Sequence, residues 1–326
     1  MNVDKLNLMW IDLSKAVITK GFKSLNISTE CFANIFVGVN SIANRCLILE
    51  LPKVHNVNTK SVIKENLSLD YYPLTNFIVL QLTDNNYYDL FDDLILSMYH
   101  RIKTIKEVND YSREFVQTFF KWSEFFVDRK TSVLSTEIVK GILGELLVLK
   151  DLIIECNHNE INDMLNYWKG PFDHVHDFVL PSKNIEVKTK DITSIDIRIS
   201  SEYQLEAEFE KGLELCVINI EKDLINGISL QDLILEIKKL IIDKLGDTSL
   251  LFKALSQKGI SAKNMQIYDT ERFIPLNQII YNCMLSAFPK ITISNIPEQI
   301  NGIKYNIRIS NLNEFIISEK KFNYGD

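Results

Sequence analysis

Over the first ninety residues, apolar and polar positions alternate. FANIFVGVN, NRCLILELP and NFIVLQLTD mix β-branched and aromatic residues between polar turns, a period of two that predicts a small antiparallel sheet. From Tyr88 the apolar spacing lengthens to three and four, as in DLFDDLILSMYHRIKTI and VNDYSREFVQTFFKWSEFFV. That spacing predicts two helices packed on the sheet or bridging to the next unit.

The middle of the chain changes period several times. Ser135 or Thr136 caps a predicted helix TEIVKGILGELLVLKDLIIE; a shorter piece, INDMLNYW, follows, and Gly170-Pro171 stops it. HDFVL and IEVKTK read as strands joined by the four-residue turn PSKN, and IDIRIS alternates after them. Ser200 or Ser201 then caps a predicted helix SEYQLEAEFEKG, which ends at Gly212 before the strand LELCVINI. The order is helix, three strands, helix, strand. Beyond Glu221, SLQDLILEIKKLIIDKL and SLLFKALSQKG are helical, and the last sixty residues are mostly β, with KITISN and IKYNIRIS the clearest strands. With no repeat or Pro/Gly-rich linker, only the changes of period mark boundaries. They give residues 1–130 as an N-terminal sheet with helices, 131–222 as a core, and 223–326 as a C-terminal helical and β extension.

Composition narrows the class. A length of 326 residues suits about two domains, and 46 % hydrophobic with 24 % charged residues is an ordinary globular mix. No apolar run approaches the ~18 residues that cross a bilayer, so no membrane partner is expected. The N-terminal segment reads as a short amphipathic helix without the basic start and cleavage site of a signal peptide, implying a cytoplasmic protein. Five scattered cysteines, none in CxxC spacing, read as reduced core residues. The net charge of −7 excludes a chain that grips long stretches of phosphate backbone unaided, so any nucleic-acid contact is local or shared with a partner.

Candidate chemistry gathers around Glu186-Val187-Lys188. If PSKN is the turn, Leu180 faces Ile185 and Asp177 falls opposite Lys188, so Asp177, Glu186 and Lys188 converge within roughly 5 to 8 Å. Asp173 falls opposite Ile192 by the same count, too far to share an ion with Glu186. Two carboxylates and a lysine suit a Mg²⁺ site that orients an attacking water; a cross-strand ion pair on a solvated face is the alternative. Glu145 lies within the apolar stripe of its helix, with Ile138, Ile142, Leu149 and Leu152, and a carboxylate there needs a partner. Gly141 and Gly144 would let that helix approach a sheet closely. His174-Val175-His176-Asp177 offers a rival Zn²⁺ or Mn²⁺ reading, but the other three histidines stand in no partner motif.

The order αβββαβ, with Glu145 in the first helix, Asp177 on a strand, Glu186-x-Lys188 on the next and Gln204 at the start of the second helix, resembles the PD-(D/E)xK nuclease superfamily. GILGELLVL, WKGPFDHVHDF, IEVKTK and ISSEYQL more narrowly resemble a bacterial family of PD-(D/E)xK motif proteins found beside restriction and phage-defence genes. The resemblance implies an α/β (α+β) restriction-endonuclease-like core. It implies Mg²⁺, with Mn²⁺ able to substitute, bound by Asp177 and Glu186 and supported by Glu145, and Lys188 positioning water or stabilising phosphorane-like charge. Gln204 would touch substrate or the lysine, although Ser201-x-x-Gln204 is equally a capping box. His176 stands where the superfamily's name has proline. The implied activity is a Mg²⁺-dependent DNA endonuclease leaving 5′-phosphates in a restriction or phage-defence system. Its implied partners are DNA, a cytosine methyltransferase, an ATPase and, for double-strand cutting, a second copy of the chain. A catalytically silent nuclease-fold subunit that binds DNA or protein is the alternative.

Overall fold

The computed structural model describes residues 1–15, 18–27, 30–53, 61–127 and 133–322. Two compact units form, Met1–Lys130 with Ser261–Lys263, and Thr131–Ile260 with Asn264–Asp326. Residues 128–132, where the expected boundary falls, lie outside the described ones.

In the first unit the period-two segments become one antiparallel sheet. Its strands are β1 (Phe22–Asn26), β2 (Asn34–Asn40), β3 (Arg45–Glu50), β4 (Val62–Ile63), β5 (Leu67–Tyr72) and β6 (Phe77–Leu82), in the order β1-β2-β3-β6-β5-β4. Helix α1 (Val3–Ser14) buries Leu6, Met9, Trp10 and Leu13, which share one face at helical spacing. The helices α2 (Tyr88–Ile102) and α3 (Val108–Ser123) follow the sheet. Arg45 ties α1, β3 and α2 together. Its guanidinium bonds both oxygens of Asp92 at 2.9 Å and lies 4.4 and 4.0 Å from the Trp10 and Tyr88 ring centroids.

The second unit begins with α4 (Thr136–Glu155), capped by Ser135, whose hydroxyl accepts the Ile138 N–H. Then come α5 (Ile161–Tyr167), β7 (Phe178–Val179), β8 (Lys183–Asp191), β9 (Asp196–Ile199), β10 (Gly212–Lys222), β11 (Ile228–Ser229), α6 (Leu230–Asp243), α7 (Thr248–Gln257), β12 (Arg272–Asn282), β13 (Tyr305–Arg308) and β14 (Ile316–Lys321). The main sheet runs β11-β12-β10-β8-β7, with β14 also on β12; β8 and β10 are parallel, and β9 pairs with β13 as a separate ribbon. The elements after residue 222 belong to this same unit, because β12 pairs along β10 and α6 packs on α4.

Strand alternation divides the core. Ile185, Val187, Cys216, Ile218 and Ile220 face α4 and α6, while Leu215 and Val217 face Ile197, Ile199, Leu205, Tyr281 and Ile307. Gly144 brings α4 onto β8, since a Cβ there would collide with Thr189. Gly141 has nothing within 4 Å, so only the second of the two expected close approaches occurs.

Three expectations need correction. The helix over 201–212 is absent, so the αβββαβ order lacks its second helix; that stretch is turns. Its acids stand four apart, Glu202, Glu206 and Glu210, and repel in a helix. Two of them bond elsewhere: Glu202 accepts the Gly302 and Ile303 N–H groups, and Glu206 accepts the Ser294 N–H. KITISN is not a strand. Thr292 and Asn295 exchange capping bonds there and close a 3-10 turn. Finally, the β7–β8 pair is Phe178↔Ile185 and Val179↔Asn184, two residues off the expected register. Leu180 N–H bonds Lys183 C=O at 3.0 Å, so Pro181 and Ser182 alone form the turn tip. A shift of two keeps every side chain on its face, and one further step brings Asp177 level with Glu186 in place of Lys188.

Candidate active site

The short β7 creates the site. Before Phe178 the chain lies outside the strand, and the Asp177 carboxylate supplies the acceptor at the edge of β8: Val187 N–H donates to Asp177 Oδ2 at 2.8 Å. The Asp177 backbone is fixed independently. Its carbonyl accepts the N–H groups of Lys169 and Gly170 at 2.7 and 2.9 Å, and Trp168 bridges to Phe178.

Glu145 reaches the same edge from α4, and the buried Trp168 indole donates to its Oε2 at 2.7 Å. Gly170 sits against both acids; a Cβ there would run into the Glu145 carboxylate and stand 2.8 Å from Asp177 Oδ1. Glu186 is 1 % exposed, which makes it the decisive group. Its Oε1 accepts from Lys188 Nζ at 2.6 Å, while its Oε2 is buried without a hydrogen-bond partner. Lys188 Nζ also donates to Gln204 Oε1 at 3.2 Å, and that oxygen accepts the Ser200 N–H at 2.7 Å. Gln204 therefore holds the lysine and forms no helix cap.

Burial and mutual repulsion dominate the electrostatics. Burial, then the Asp177 charge, push the Glu145 carboxyl up to about 8 against the Trp168 hydrogen bond and the charges of Lys258 and Lys188. Glu186 is raised well above the usual carboxylate range by burial and by Asp177, with Lys188 opposing. Asp177 is raised by burial, with the Val187 N–H, Lys188 and Lys258 opposing. Acids raised on folding contribute stability that is full below the unfolded value near 4.5 and lost as pH rises through the folded one. Metal-free wild type should therefore lose stability relative to Glu186→Gln between about pH 5.5 and 8.5. Urea unfolding of both proteins in EDTA at the two pH values measures this; parallel profiles would refute it.

Thus Glu145, Asp177, Glu186, Lys188 and Gln204 are brought together at one strand edge. Among the described residues no group of three or more His, Cys, Asp or Glu side chains is arranged to hold a metal ion as it stands. Asp177 and Glu186 each spend one oxygen on a protein donor. The donor chemistry still suits a hard divalent cation, because the site holds three crowded carboxylates and an unpartnered buried oxygen. His176 is buried against Asn184 at 3.2 Å and His174 is exposed, so the two histidines do not share a ligand face.

Sequence reasoning left out three contributors. Trp168 reads as an anchor at a helix end and Gly170 as a helix stop; only the fold sets them on the acids. Lys258, at the end of α7, lies where its charge reaches Glu145 and Asp177, and it pairs with Asp173 at 3.5 Å, 85 residues away in sequence.

Residues 6–310 match the family model described as "Putative PD-(D/E)XK family member, (DUF4420)". The chain belongs to this family. No curated protein and no solved structure is significantly similar to it. Members of the PD-(D/E)XK superfamily are mostly nucleases and generally use divalent metals, and their nuclease-like fold suits a mixed α+β chain such as this one. No helix among the described residues is long and apolar enough to cross a membrane.

Proposed function

We propose that the chain is a divalent-metal-dependent DNA endonuclease, with Asp177 and Glu186-x-Lys188 as the residues of the PD-(D/E)XK name. One observation carries this reading. A fully buried glutamate with an unpartnered oxygen, Glu186, stands beside a lysine and two further carboxylates at an open sheet edge.

Asp177, Glu186 and Glu145 would hold the ion, Mg²⁺ with Mn²⁺ able to replace it. When bound, the ion supplies positive charge beside the scissile phosphate and lowers the pKa of a coordinated water. Lys188 orients the attacking water, and Gln204 and Glu186 fix its ammonium. The water oxygen bonds to phosphorus, the bond to the 3′ oxygen breaks, and a 5′-phosphate and a 3′-hydroxyl result. Trp168 aims Glu145 through its indole. A net charge of −7 fits a nuclease subunit of a restriction or phage-defence system whose DNA affinity is shared, with a cytosine methyltransferase and an ATPase as candidate partners. Double-strand cutting would take two copies of the chain.

The test is supercoiled plasmid incubated with purified protein and Mg²⁺ or Mn²⁺. Nicked or linear product that disappears in EDTA is expected. If calorimetry detects the ion bound and yet no DNA is cut, the endonuclease reading fails and a silent nuclease-fold subunit takes its place.

A further inference from the structure

Among the exposed cations of the second unit, Arg198 and Arg308 lie on the β9–β13 ribbon and Lys304 stands beside it. In the ribbon, Asp196 pairs with Arg308, Ile197 with Ile307, Arg198 with Asn306 and Ile199 with Tyr305. Ile197, Ile199 and Ile307 turn inward and pack with Leu205 and Leu215. The pleat then puts Arg198, Asn306 and Arg308 outward, and all three are exposed. Along β13 runs a groove of about 430 Å³, lined by Lys290, Asn306, Arg308 and Asn311 together with apolar side chains such as Ile307 and Leu312.

Three acids near the ribbon have partners and keep their charge. Asp196 lies 3.7 Å from Arg308, both Glu202 oxygens accept backbone N–H groups at 3.0 Å, and Glu206 accepts the Ser294 N–H at 3.1 Å. Among the described residues no ion pair engages Arg198, Lys290 or Lys304. A chain of net charge −7 thus presents, along this strip, three cations that no ion pair engages. That strip is joined to the carboxylate site: Ser200, the residue after β9, and Lys188 both donate to Gln204 Oε1.

We infer that the β9–β13 ribbon grips duplex DNA beside the cut, with Arg198 and Asn306 at base edges and Lys290, Lys304 and Arg308 on flanking phosphates. This rests on the nuclease reading above. A two-stranded ribbon fits a major groove ~12 Å wide, where arginine pairs with guanine and asparagine with adenine. Phosphate contacts by the lysines position the duplex without reading it.

Binding is measured apart from cutting, with labelled duplexes, Mg²⁺ and an Asp177→Ala parent. Adding Arg198→Ala and Lys290→Ala should weaken binding about tenfold or more at ~100 mM salt and shrink the log–log salt slope by about one for each phosphate-bound cation removed. Arg198→Lys should retain most of the affinity. Asn306→Ala should leave the slope unchanged and alter the preference among duplex sequences; an unaltered preference removes Asn306 from base readout. Circular dichroism confirms that each variant is folded. Ribbon variants that bind with the parent's affinity and slope, or a parent that binds no duplex, would overturn the inference. The two readings fail separately. Duplex binding lost with the ribbon cations, in a protein that cuts nothing, sinks the nuclease and keeps the grip. Cutting by wild type and ribbon variants at equal rates does the reverse.

Discussion

Asp177→Ala is expected to lower the rate of plasmid cleavage by about a thousandfold or more while leaving the fold intact. Its charge raises the proton affinity of both Glu145 and Glu186, so it is central to the electrostatics at this edge. Its removal costs the fold little. The alanine loses one hydrogen bond, from Val187 N–H, worth about 1 kcal/mol, and relief of repulsion between buried acids offsets that. The backbone bonds from Lys169 and Gly170 to the Asp177 carbonyl do not involve the side chain. Cleavage time courses and urea midpoints on the same preparation separate the two effects. Lys188→Met, which removes the cation that faces Glu186, should fall to a similar rate. Either variant cutting at the wild-type rate would remove that residue from the reaction.

Gly170→Ala is expected to lower cleavage by about a hundredfold and to cost about 1 to 3 kcal/mol of stability, although Gly170 touches no substrate. The added methyl would overlap the Glu145 carboxylate and crowd Asp177 Oδ1, so at least one acid must move. Backbone strain is not the cause, because Gly170 is not in the left-handed region. Gly141→Ala is the internal control. Nothing lies within 4 Å of that position in the interior of α4, and alanine there should stabilise the helix by about 0.5 to 1 kcal/mol without changing cleavage. Equal effects from the two substitutions would show that the space at Gly170 has no special importance.

Much of the site was legible because its signals are local. Ser135 and the apolar stripe mark α4 with Glu145 on it, and the alternation of Ile185, Glu186, Val187 and Lys188 puts the acid and the lysine on one face. The turn closes at Pro181-Ser182, two residues off the register that PSKN implies, since both are plausible turns. The face assignment survived because the strand period is two. The missing helix shows the limit of local evidence. Ser201, Glu202 and Gln204 have the spacing of a helix start, but Glu202 is satisfied by Gly302 and Ile303, 100 and 101 residues on, and Gln204 by Lys188.

What this sequence by itself determined is the kind and order of most elements, the side of each strand that is buried, and the acids and lysine from which a site can be built. Those follow from neighbours a few residues apart. Tertiary structure alone decided that β7 stops short and leaves Val187 N–H to Asp177, and that Trp168 and Gly170 shape the space around Glu145. It also decided that Lys258 adds a second cation and that β13 pairs with β9 to present Arg198 and Arg308. Each of these depends on groups far apart in the chain, and their pairing energy exists only once the backbone has brought them into contact.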